Sequence, residues 1–112
     1  MNLEIQTMWS PDLIPPSEGL PENTQDYDVF MQVSIGEIGQ AGGEVFHFRV
    51  CAASVLRETE SGNFISHTLV LEKFSWFELE NRLKKLLLHT SSCKDWKSVI
   101  EKLQPYIQHS DA

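Results

Sequence analysis

The stretch SIGEIGQAGGEVFHFRVC, Ser34 to Cys51, places four glycines within eight residues and then alternates bulky and polar side chains. A phosphate-cradling loop and a bend between two strands both use glycine at this density. A P-loop has the form G-x-x-x-x-G-K-[ST], because its lysine must reach the phosphates and its hydroxyl must hold Mg²⁺. Here Glu44, Val45 and Phe46 follow the last glycine, no lysine is near, and Glu37 and Glu44 repel phosphate. A dinucleotide fingerprint opens into a helix. This loop opens instead into Phe46, Phe48 and Val50 on one side and His47, Arg49 and Cys51 on the other, the period-two pattern of a half-buried strand. The glycines therefore predict a long hairpin connection in which positive φ and a bulge are needed.

Working outward from the hairpin, Tyr27–Ile35 places Val29, Met31, Val33 and Ile35 on one face and Phe30, Gln32 and Ser34 on the other. Leu3–Trp9 alternates in the same way, with Leu3, Ile5 and Thr7 on one face, and reads as the first strand. Between these two lies SPDLIPPSEGLPEN, whose prolines remove backbone donors and fix φ, so it reads as a surface loop tacked down by Leu13, Ile14 and Leu20. A fourth strand is expected over Phe64–Phe74, reached through the polar turn RETESGN.

The period then changes. Trp76, Leu79, Leu83, Leu86 and Leu87 recur at helical spacing behind a Ser75/Glu78 capping box. A second helix carries Trp96, Val99, Ile100 and Leu103 on one stripe and ends near Leu103 or Gln104, ahead of Pro105. Strands first and helices last give an α+β fold: an antiparallel sheet of four to five strands with two C-terminal helices packed on one face. The 112 residues argue for a single domain, 1–112.

Charge is distributed unevenly. Residues 1–48 hold eight acids and no lysine or arginine, whereas eight acids and nine bases follow from Arg49 onward. Such a front half repels nucleic acid and anionic membranes and favours a cationic partner. No apolar run approaches the ~20 residues of a bilayer span, and the N-terminus lacks the basic and apolar regions of a secretory signal. Cys51 and Cys93 are too few for a disulfide framework, so a cytoplasmic protein with reduced thiols is expected.

Chemistry-bearing patterns are sparse. His47, Cys51 and His67 could share one side of the sheet, yet the close ligand pairs of a zinc site do not converge, so no metal and no cofactor is expected. No serine has a G-x-S-x-G setting, and neither cysteine has an evident activating histidine. Catalytic residues: none are assigned, and the protein is not expected to be an enzyme.

W-S-P-D after a first strand, the hairpin F-M-Q-V-S-I-G-E-I-G-Q-A-G-G-E-V-F-H-F-R-V-C, a strand ending L-E-K-F, and a final W-K-S-V-I-E-K-L-Q-P-Y follow one another from Trp9 to Tyr106. Taken together they resemble the immunity protein 8 family of bacterial polymorphic toxin and contact-dependent growth inhibition systems. The resemblance implies a cytosolic antidote to a toxin whose C-terminal domain is often a nuclease. A nuclease must bind a polyanion, so its cleft is basic, and carboxylates on a rigid scaffold can replace phosphates there. The expected partner is a cognate toxin C-terminal domain with a basic surface, bound 1:1 by a monomer, with a ribonuclease as the first choice. The expected contacts are Glu18, Glu22, Asp26 and Asp28 on the loop and the start of the second strand, with Glu37 and Glu44 flanking the glycine hairpin. Phe30 or Phe64 could supply an apolar anchor. The rival readings are a small-ligand-binding or enzymatic α+β domain, with a pocket between sheet and proline-rich loop, and a self-associating module.

Overall fold

The fold is built around the hairpin that the glycine-rich stretch predicts. In the computed structural model, which describes residues 1–58 and 65–110, β1 (Leu3–Trp9), β2 (Asp28–Glu37) and β3 (Glu44–Cys51) form an antiparallel meander. Gly39 and Gly42 both sit at φ +79°, a backbone region that a side chain disfavours. Gln6 on β1 closes the loop by donating from Nε2 to the Gly42 carbonyl at 2.7 Å. The connection leads into a strand and wraps no ligand-shaped turn at a helix start.

One face of the meander makes the core. Val29 pairs with Val50, Met31 with Phe48 and Val33 with Phe46, and all six side chains are buried. Fully burying an aliphatic or aromatic side chain of this kind contributes roughly 1.5–3 kcal/mol. Onto this face pack α2 (Trp76–Leu88), through Leu79, Leu83 and Leu87, and α3 (Trp96–Leu103), through Val99 and Leu103. α2 begins at the expected Ser75 cap, and α3 begins at an aspartate cap of the same kind. The Ser75 side chain accepts from the Glu78 N–H at 3.2 Å, and Asp95 accepts from the Ser98 N–H at 2.8 Å. Gln104 closes α3 just ahead of Pro105.

The sheet is mixed, which corrects the expectation of a purely antiparallel one. β4 (Thr68–Val70) runs parallel to β3, pairing Arg49 with Thr68 and Cys51 with Val70. A parallel return needs a crossover of a dozen or more residues, and the chain supplies residues 52–67, which begin with the short helix α1 (Ala53–Glu58). Period-two reading stretches the fourth strand to Phe64–Phe74. It ends at Val70 because Leu71 and Phe74 turn inward to the core, with the Phe74 N–H donating to the Thr24 carbonyl at 2.8 Å. Phe64 itself lies outside the described residues. A two-residue strand, β5 (Gln108–His109), pairs with β3 at Phe46 and His47. β4 and β5 thus share the edge of β3 that β2 leaves open.

Two local expectations also change. A register shift between Ile5 and Thr7 turns Thr7 outward and brings Met8 against the core in its place. Of the three apolar residues expected to tack down the proline-rich loop, Leu13 is buried, while Ile14 and Leu20 are exposed. Hydrogen bonds supply the remaining restraint: Ser10 N–H to the Pro16 carbonyl at 2.8 Å, Gly19 N–H to the Pro15 carbonyl at 2.7 Å, and Trp76 Nε1–H to the Gly19 carbonyl at 2.8 Å.

Candidate partner-binding surface

With the helices on one face, the alternate side chains of β1, β2 and β3 form the opposite face. Its rungs follow from the register. Trp9, Gln32 and His47 lie side by side across three strands, and Phe30 with Arg49 makes the next rung. Phe30 is 40% exposed and Trp9 36%, large apolar areas for the middle and rim of a sheet. The Phe30 ring stacks on His47 with centroids 5.4 Å apart and an interplanar angle of 28°. Its backbone N–H donates to Asp12 Oδ2 at 2.7 Å, so the loop beyond β1 continues the edge pairing with a side chain. Phe30 is therefore presented on a backbone fixed from both sides.

Beside this aromatic rung the acids collect. Asp12, Glu22, Asp26 and Asp28 line one concavity of about 850 Å³, whose apolar wall is Leu13, Tyr27 and Val29. Each carboxylate has a different degree of freedom. Asp28 takes both Nε–H and Nη2–H of Arg49 at 2.6 Å, a bidentate pair that spends much of its charge locally. That hydrogen bond is the main cause holding the Arg49 guanidinium above its ordinary range. Asp26 accepts from Ser54 Oγ at 3.2 Å, and Asp12 is committed to the Phe30 amide. Glu22 is exposed and makes no hydrogen bond or ion pair with the described residues.

The six acids named from sequence do not form one group. Glu22, Asp26 and Asp28 converge, and Asp12, which sequence reading passed over, joins them. Glu18 is exposed on the proline-rich loop and does not line that concavity. Glu37 stands at the far end of β2, roughly 30 Å from Asp28 at ~3.3 Å per strand residue, and Glu44 opens β3 opposite Ile35, roughly 23 Å away by the same measure. Glu44 is moreover half-buried and meets His109 Nε2 at 2.9 Å. The signal for Asp12 was present in S-P-D: its N–H donates to Ser10 Oγ at 3.1 Å, a local turn that aspartate and serine favour.

Under the acids the floor is rigid. Tyr27 is buried, its hydroxyl donates to the Leu71 carbonyl at 2.7 Å, and its ring meets Phe74 edge-on. Burial, followed by neighbouring Cys51, pushes the Tyr27 phenol up to about 12. Burial likewise raises the Cys51 thiol, with Asp28 adding to the rise and Arg49 opposing it, which keeps the sulfur protonated and unreactive. Cys93 is buried as a free thiol too.

Other groupings have a structural explanation. His47 Nδ1 and Ser110 Oγ lie 2.8 Å apart, and no carboxylate orients that imidazole among the described residues. Among the described residues, no cluster of three or more His, Cys, Asp or Glu able to hold a metal ion occurs, and no helix is long and apolar enough to cross a membrane.

Comparison with known proteins agrees with the resemblance. The family model for immunity protein 8 matches residues 3–109, which takes in the whole sheet, both long helices and every acid of the concavity. No curated protein and no solved structure matches the chain.

Proposed function

The chain belongs to the immunity protein 8 family, and from that premise we propose that it neutralises a nuclease toxin domain by stoichiometric occlusion. A family of this kind protects against a polymorphic toxin. The finer reading concerns which surface engages the toxin and what the toxin does. The observation that carries it is the meeting of Asp12, Glu22, Asp26 and Asp28 beside an exposed Phe30 on a sheet whose backbone is hydrogen-bonded on both sides.

This arrangement suits a basic, substrate-binding cleft. The carboxylates stand in for phosphates and speed encounter, while Phe30 and Trp9 supply the desolvated anchor that gives an interface much of its affinity. An interface of standard size, about 800 Å² per partner, covers the acidic concavity and the adjoining aromatic rungs together. It does not also need the Glu37 end. The protein acts in the cytoplasm as a monomer in a 1:1 complex, with no turnover and no cofactor, and ribonuclease is the first choice of toxin activity.

The test is a titration of the cognate toxin domain's nuclease activity. Activity should fall linearly to zero at one equivalent. Phe30→Ala should weaken the complex by about 2 kcal/mol, a hot-spot loss, while the variant stays folded. A toxin that remains inhibited with unchanged affinity by the Phe30→Ala variant would remove the aromatic rung from the interface.

A further inference from the structure

On the helix side of the sheet, away from the acidic concavity, a pocket of about 310 Å³ opens between β4, α2 and the chain after α3. Its volume falls at the small end of the range for ligand sites. Phe48, Leu69, Leu83 and Ile107 form an apolar floor, and the rim carries His67, Arg82, Lys85 and His89. Among the described residues, no Asp or Glu lines it. In a chain of net charge −7 that is a local reversal. Four other concavities each include at least one carboxylate.

The rim is ordered by the fold. Arg82 and Lys85 on α2 and His89 at its C-cap recur at helical spacing and so share one face. Arg82 touches Glu78 at 3.6 Å, an exposed pair that leaves most guanidinium donors open. His67 faces them from the start of β4. Its φ of 50° is left-handed, a conformation that costs energy for a residue with a side chain. It is held there at both ends: the His67 carbonyl accepts from the Arg49 N–H at 2.8 Å, and Nε2 lies 2.7 Å from the Gln104 carbonyl. A strained residue pinned from both sides at the mouth of a pocket fits pre-organisation for a ligand.

We infer that this pocket binds a small organic carboxylate with an aryl or short alkyl body. The body lies on Phe48, Leu69 and Leu83, and the carboxylate meets Arg82 and Lys85. Each half of such a ligand answers one half of the lining, since an apolar molecule leaves the cations unused and a bare anion leaves the floor wet. This site is separate from the toxin-facing surface, and its occupancy stands or falls independently of the toxin.

The experiment is an amide-resolved NMR titration of the intact chain with phenylbutyrate. Phenylbutyramide serves as the uncharged counterpart and inorganic phosphate as the anion without a body. Saturable shifts are expected at residues 67–69, 82–89 and 106–107, with binding at least about tenfold weaker for the amide, as fits loss of a charge-assisted hydrogen bond, and none that saturates for phosphate. The Arg82→Gln/Lys85→Gln variant, altered only at exposed helix positions, should weaken phenylbutyrate binding to a similar degree while retaining the parent spectrum elsewhere. Equal binding of acid and amide, phosphate binding as well as phenylbutyrate, shifts centred elsewhere, or no saturation by about 10 mM would each overturn the inference.

Discussion

Reversing Glu22 and Asp26 to lysine should slow association with the toxin domain, and the same change at Glu4 and Glu37 should not. All four side chains are exposed, and the two pairs stand near opposite ends of β2. Each double reversal alters local charge by the same four units. Against one toxin cation ~10 Å away in water, that change is worth about 1.7 kcal/mol unscreened. At 0.1 M salt the Debye length is also about 10 Å, so roughly a third survives, near 0.6 kcal/mol or threefold in rate per facing cation. Two or three such cations give about ten- to thirtyfold slower association, within the span that electrostatic steering covers. The other end, roughly 30 Å and three Debye lengths away, contributes almost nothing to the same encounter. Stopped-flow association rates, measured from low to high salt, make the comparison. Equal slowing by both pairs would show that only net charge matters. Slowing by the Glu4/Glu37 pair alone would place the toxin at the glycine hairpin and refute the reasoning.

Three further outcomes concern the scaffold. Tyr27→Phe strands the Leu71 carbonyl beneath the acidic concavity and should cost about 1–3 kcal/mol in urea unfolding; an unchanged midpoint would mean that the carbonyl finds another donor. Gly19→Ala puts a methyl group 2.6 Å from the Ile14 carbonyl oxygen, so it should destabilise the fold by roughly 1–3 kcal/mol and loosen the Trp76 indole contact, seen as a change in tryptophan fluorescence. Asp95 has its carboxyl held below the ordinary range, first by the backbone hydrogen bond from Ser98. Its contribution is therefore complete above the ordinary aspartate value of about 3.9 and is lost as pH falls through the lowered folded value. Asp95→Asn should remove that dependence, so unfolding midpoints for variant and parent should converge as pH drops from neutral towards this range; a constant gap would contradict it.

Much of the architecture was legible because the signals were local and periodic. Val29, Met31, Val33 and Ile35 declare a buried face two residues at a time, and Ser75 with Glu78 marks the start of α2 within one turn. What escaped was set by long-range pairing. Two residues such as Gln108 and His109 carry no period, and they become a strand only because β3 offers an open edge. The parallel direction of β4 likewise depends on where residues 52–67 carry the chain. The site followed the same division. A base-free front half pointed to the acids, but not to their separation towards the two ends of the β2–β3 hairpin. Asp12 was hidden because its role is to cap the Phe30 amide across the gap between two elements, a contact that no neighbouring residue announces.

The last-made strand has a consequence for timing. β1, β2 and β3 leave the ribosome first as a meander whose Phe46–His47 edge stays bare until residues 108 and 109 arrive to pair with it. An unpaired edge invites other chains, and sequence-distant closure is slow. A half-synthesised antidote is thus an aggregation hazard and no shield.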